Sequence, residues 1–415
     1  MRVKKIISNL AIALATLFVI ALVAEAGFRI RDLFNKNRGL KACMGEVNRK
    51  YHYSFKPNRR SRMVASKNNE FDVAVRINNY GFRGGDIDKN KRLGVPRVMV
   101  IGDSFTFGVG AEEDETIPFL IEKYLADEGK RTEVINAGFG SYSPLLHYLR
   151  VRDEFLQFKP DIVLYLFDFS DLADDWRYEK SLVYDASGNI IRCDPAFVDG
   201  KRDWWKIMRM HSRLCVYIHN KVIRLIDKIR ILGLKNYIKA KMEGKRSKVL
   251  IVTKKPEEGK FKSIKYDVHF MIRGRDRLPQ ITEHFKRTEK YLNLLKGALT
   301  ERGIPMMLVI FPRGIQVGPY QWAEGRKSWG FKEGVTYDDY YAFDLLEDYA
   351  KRNNIPCINV LPALLENNDK ELFFPIDGHF TPEANKITAE AIVKDKAFRE
   401  ALEYDIIKEG QLKAM

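Results

Sequence analysis

Cysteine is scarce in this chain: four residues among 415, none spaced as Cys-x-x-Cys. That excludes a disulfide-stapled scaffold, a zinc knuckle and a thioredoxin-type redox site. Histidine is also scarce, with seven residues scattered without ligand spacing, so the sequence calls for no metal and no cofactor. Internal repeats and low-complexity segments are absent. What the chain does have is 45% apolar and 12% aromatic residues, which excludes a disordered protein and a collagen-like fibre.

The formal charge of +16 is local. Between Lys201 and Lys262 there are 19 lysines and arginines against 5 acids, leaving +14 of the excess in that stretch alone. A nucleic-acid protein carries basic residues beside a recognition motif, and no helix-turn-helix, zinc-finger or aromatic RNA-binding signature is present. No nucleic-acid partner is expected.

Arg2, Lys4 and Lys5 precede an uncharged run from Ile6 to Ala24. As a helix this run is about 28 Å long, close to the ~30 Å hydrocarbon core of a bilayer. It exceeds the usual signal-peptide core, which favours a retained anchor over residues 1–31. Ala24-Glu25-Ala26 resembles a small-x-small cleavage site, so a cleaved signal is the alternative. The basic N-terminus points to an N-in orientation with the body exported. In that oxidising space Cys193 and Cys215 are candidates to pair.

Residues 32–70 are polar and basic and read as a tether leading to the domain. From Arg97 the pattern becomes regular. Strands are expected at Arg97–Gly102, Glu133–Ala137, Asp161–Phe167, Pro305–Phe311 and Pro356–Leu361. Helices are expected at Thr116–Glu128, Leu145–Phe158, Glu283–Arg302, Tyr340–Asn353 and Pro382–Val393. Such alternation predicts an α/β domain over 71–415, three layers with a mainly parallel sheet, interrupted by an insertion at about 176–281. Within the insertion, apolar residues at Cys215, Ile218, Val222, Ile226, Ile229 and Leu232 alternate with basic ones. A basic amphipathic helix over 215–238 either packs on the core or lies on a membrane.

Three clusters carry chemistry. Gly102-Asp103-Ser104 follows the first strand of the sheet, where ligands of open α/β sheets bind, and places a serine at a turn into a helix. Asp377-Gly378-His379 precedes the last helix. A serine nucleophile needs a base, and the base needs a carboxylate to hold its tautomer; one tight turn can supply both. Loops after strands two and three, around Gly140-Ser141 and Asp168-Phe169-Ser170-Asp171, offer donors for an oxyanion.

With these residues in view, the chain resembles the SGNH or GDSL-type hydrolases over about 71–175 and 304–393. Gly102-Asp103-Ser104 is similar to the family's first block and Asp377-Gly378-His379 to its last. Asn79-Tyr80-Gly81-Phe82-Arg83-Gly84 resembles a lead-in of membrane-anchored bacterial members. The resemblance implies a flavodoxin-like α/β/α fold and a triad of Ser104, His379 and Asp377. Oxyanion donors would be Ser141 or its neighbour Gly140, helped by Ser170. Two positions depart from the family pattern: Ser141 stands where a glycine is usual, and Ser170 where an asparagine is usual. The implied activity is hydrolysis of O-acyl esters, acetyl foremost, on a surface or periplasmic glycan. An O-acyltransferase with the same triad and a non-catalytic glycan-binding protein are the alternatives.

Overall fold

The computed structural model describes residues 2–34, 44–65, 69–199, 201–219, 221–222 and 269–403. Contacts divide the chain into two units, Met1–Asn37 with Lys201–Lys254, and Arg38–Gly200 with Lys255–Met415.

In the first unit, α1 (Arg2–Phe34) contains a stretch, Lys5–Arg31, long and apolar enough to cross a membrane. Its apolar side chains, from Ile6 to Val23, stand exposed. A second helix covers Trp204–His211. The expected basic helix over 215–238 lies mostly outside the described residues, which end in this region at Val222.

The second unit begins earlier than the sequence suggests. Residues 44–64, read as tether, form strands: β1 (Met44–Asn48) pairs with β2 (His52–Phe55), and β3 (Arg59–Val64) pairs with β4 (Asp72–Ile77), both antiparallel. Tyr51, Phe55 and Met63 join the core. The strand pattern was hidden because β3 keeps Arg59, Arg60 and Arg62 in solvent and buries only Met63 fully.

The central sheet has five strands: β5 (Arg97–Gly102), β6 (Glu133–Gly138), β7 (Ile162–Phe167), β10 (Met306–Ile310) and β11 (Cys357–Asn359). Between β7 and β10 the chain adds a small hairpin, β8 (Leu182–Tyr184) and β9 (Ile190–Cys193). The sheet order is β6-β5-β7-β10-β11 and every neighbouring pair is parallel. This is the flavodoxin-like order. β5 and β7 are buried at every position, which is why, Arg97 apart, they read as apolar runs.

Helices cover both faces. α3 (Ile117–Asp127) packs with α8 (Pro382–Lys394) on one side. On the other lie α4 (Pro144–Asp153), α5 (Asp171–Glu179), α6 (Leu278–Thr300) and α7 (Tyr341–Arg352), with α6 touching α4 and α5. The last strand is shorter than expected, because Leu361 opens a short helix, Leu361–Leu365, whose second residue is Pro362.

No disulfide joins Cys193 to Cys215. Cys193 ends β9 inside the second unit, with its Sγ 3.6 Å from the Tyr178 carbonyl, whereas Cys215 belongs to the first unit. The expected pairing is not formed.

Candidate active site

The chain passes from β5 to β6 on one side and to β7 on the other, so the loops that follow these strands diverge at one point of the carboxyl edge. A ligand crevice forms at such a switch point. Ser104 sits there, as the first residue of the one-turn helix α2 (Ser104–Phe107). Gly102, with φ of 151°, turns the chain; a Cβ there would stand 2.2 Å from Thr106 Oγ1. Asp103 caps the turn by accepting from the Phe105 N–H at 2.8 Å. His147 donates from Nε2 to the Gly102 carbonyl at 3.0 Å, and burial pushes its pKa down to about 3, so it stays neutral.

The structure brings the three expected residues together across 275 positions of chain. Ser104 Oγ donates to His379 Nε2 at 2.7 Å, and His379 Nδ1 donates to Asp377 Oδ1. Burial by itself raises the Asp377 carboxyl; the hydrogen bond and charge of His379, with the Arg313 charge, outweigh it and hold the group below its ordinary value. Asp377 is therefore a carboxylate, the form that fixes the imidazole with its proton on Nδ1.

The Pro375–His379 loop is held from several sides. Glu70 accepts from the Ile376 N–H at 2.6 Å and from the Asp377 N–H at 2.9 Å. Trp322 Nε1 donates to the Ile376 carbonyl at 3.2 Å. Within the loop, the Phe374 N–H donates to the His379 carbonyl at 2.9 Å and the Gly378 N–H to the Phe374 carbonyl at 3.0 Å. Gly378 has φ of 86°, and a Cβ on it would lie 2.5 Å from the Trp322 indole nitrogen. Sequence reasoning missed Glu70, which stands in the polar stretch read as tether, and Trp322. Neither has a local signature, since both act on a loop remote in sequence.

The proposed oxyanion residues divide. Ser141 takes a left-handed φ of 58°, the conformation that explains why a glycine suits this position. Its carbonyl accepts from Tyr178 OH at 2.9 Å, and the Gly140 carbonyl accepts from Tyr53 OH. In a trans peptide the N–H opposes the carbonyl, so the Ser141 N–H points away from Tyr53. Among the described residues neither it nor the Ser104 N–H has an acceptor. Ser170 departs from expectation. Its hydroxyl donates to Asp168 Oδ2 at 2.5 Å, so that proton is committed to a carboxylate and cannot serve an oxyanion in this arrangement.

Beside Ser104 lies a buried charge cluster that the sequence did not announce. Asp168, after β7, is paired with Arg313, after β10. The Arg313 guanidinium stacks 4.7 Å from the Phe105 ring, whose other neighbours include the His379 ring at 4.8 Å. Burial first, and then the nearby Asp168 charge, push the Asp103 carboxyl well above its ordinary range. Asp103 thus lies against the Asp168–Arg313 pair at the foot of the turn that carries Ser104. A charged residue just past the carboxyl end of a sheet strand was the available signal for Arg313. Among the described residues no group of three His, Cys, Asp or Glu side chains is placed to hold a metal ion.

No family model matches the chain, and no curated protein matches it. Solved structures similar to it include three of hydrolase type. An acetyl xylan esterase is 14% identical over 71% of this chain and 96% of its own, with a TM-score of 0.35. A GDSL-like lipase from Bacteroides thetaiotaomicron is 11% identical over 77% and 93%, at 0.33. A catalytic mutant of an acetylxylan esterase from Geobacillus stearothermophilus is 13% identical over 75% and 96%, at 0.35. At these identities and scores they stand as likenesses and lend the site no weight.

Proposed function

We propose that this chain is a serine esterase of the SGNH type, and that it cleaves O-acyl esters with a Ser104–His379–Asp377 triad. One observation carries the reading: a serine hydroxyl at a strand–helix turn, 2.7 Å from an imidazole whose far nitrogen is held by a carboxylate. Ser104 Oγ attacks the ester carbonyl while His379 Nε2 takes its proton. The imidazolium is stabilised by Asp377 and returns the proton to the leaving alkoxide, giving an acyl-serine. A water then attacks the acyl-serine, His379 again accepts and returns the proton, and the carboxylic acid leaves. The Ser104 and Ser141 N–H groups serve the oxyanion, where each donor is worth ~10²–10³ in kcat.

The acyl group we assign is small, acetyl foremost, carried on a glycan outside the cytoplasm. That assignment follows from the anchored proteins the sequence resembles, and from an exported orientation of the N-terminal helix as a retained anchor. The test is hydrolysis of 4-nitrophenyl acetate by the full chain and by Ser104→Ala, with fluorophosphonate labelling of both. Turnover and labelling confined to the parent are expected. A folded parent that neither hydrolyses the ester nor takes the label would sink the reading.

A further inference from the structure

The first unit contains a contact set unrelated to the triad. Glu25 stands directly after the uncharged run Ile6–Ala24. Its carboxylate accepts from Ser212 Oγ at 2.8 Å, the Arg213 N–H at 3.1 Å and the Leu214 N–H at 2.9 Å, and from Arg29 Nε at 2.7 Å. Arg213 and Leu214 open the helical stretch that follows Ser212, so Glu25 satisfies N–H groups that a helix start leaves without intrahelical partners. One turn on, Arg29 Nη2 donates to the His211 carbonyl at 2.9 Å, at the end of the Trp204–His211 helix. Phe28 and Tyr217 meet with ring centroids 4.8 Å apart. Three neighbouring positions on one face of α1 therefore grip the 204–217 segment at the point where the apolar run stops.

That segment exposes aromatic and apolar surface. Trp204 is 64% exposed and Trp205 43%, and Met208, Tyr217, Ile218 and Val222 are also exposed. Long basic side chains stand beside the rings: Arg202 over Trp204 and Lys221 over Tyr217, each at 5.5 Å, and Arg31 over Phe28 at 5.0 Å. Amphipathic Trp and Tyr rings flanked by snorkelling cations are the composition of a membrane interface, where rings sit among headgroups and cations meet lipid phosphates. We propose that this segment, clamped to the carboxyl end of the span by Glu25 and Arg29, is an interfacial foot resting in the headgroup layer of an anionic bilayer. The occupant follows from position: the clamp lies where the span leaves the hydrocarbon, so the segment it holds lies at headgroup depth. The clamp also requires the span to stay attached, because cleavage after Ala26 would remove the cap.

The test uses the full chain reconstituted in phosphatidylglycerol–phosphatidylcholine vesicles containing lipid brominated near the headgroup. Tryptophan emission of the parent is expected to be quenched. In Trp204→Phe/Trp205→Phe, which keeps the apolar rings but leaves only Trp176, Trp322 and Trp329 to emit, at least half of the quenching is expected to vanish. Glu25→Ala is expected to lose a similar share while ester turnover stays at the parental level. Equal quenching in parent and double variant, or none in either, overturns the proposal. A membrane-bound chain whose first residue is Gly27 overturns it as well.

Discussion

At the scale of single residues, the site depends on how rigidly one loop is held. Glu70 fixes the peptide that carries Asp377, whose carboxylate steadies His379. Hydrogen bonds to charged groups contribute about 1.5–3 kcal/mol. Glu70→Ala is therefore expected to lower kcat by about 10–100-fold with little change in KM, and Glu70→Gln to recover part of the loss. An unchanged kcat in Glu70→Ala would remove Glu70 from the account. Gly378→Ala meets two obstacles, a positive φ and the Trp322 ring. A backbone strain of about 1–3 kcal/mol should appear as a lower unfolding midpoint in urea and a lower kcat together.

At the scale of elements, two buried arginines tie loops to the sheet edge. Arg83, in the Asn79–Gly84 motif, donates to the carbonyls of Phe107, Gly108 and Ala111, at and just beyond the end of the helix that bears Ser104. Its ring contact with Phe107, at 4.9 Å, adds a stacking surface to these bonds. The motif thereby anchors the far end of the turn that carries Ser104. Arg313 plays the corresponding part between β7 and β10 through Asp168. Removing one partner of a buried pair leaves an uncompensated charge and costs about 3–5 kcal/mol. Arg313→Leu should destabilise on that scale by denaturant unfolding, and adding Asp168→Asn should restore part of the loss. A double variant no better than the single one would contradict the pairing argument.

At the scale of the whole molecule, pH acts through carboxyls inside the second unit. Burial pushes Asp174 and Asp175 up to about 7, against the contrary pull of Arg177 on the first and of the Leu145 N–H on the second. An ordinary aspartate in the unfolded chain titrates near 4. Between about pH 4 and 7 the folded chain binds more protons than the unfolded one, so stability falls as pH rises through that window and levels off above it. Thermal midpoints should be higher at pH 5 than at pH 8, and Asp175→Asn should flatten the difference. A midpoint that rises from pH 5 to pH 8 would contradict this.

The order of residues alone was enough to locate the sheet, most of its strands and helices, and to single out Ser104, Asp377 and His379, which the fold brings within hydrogen-bond reach of one another. These were legible because buried parallel strands are largely apolar runs, and because a Gly-Asp-Ser turn and an Asp-Gly-His turn are short local patterns. The β1–β4 strands were not legible, since a hairpin at the surface shows one face to solvent and β3 fills that face with arginine. Three features of the site emerged only from the folded chain: Ser170 gives its proton to Asp168, Glu70 braces Asp377 from 307 residues away, and Arg313 lies beneath Phe105. Each of these depends on which strand ends adjoin which, and side chains brought together by topology leave no periodic trace along the chain.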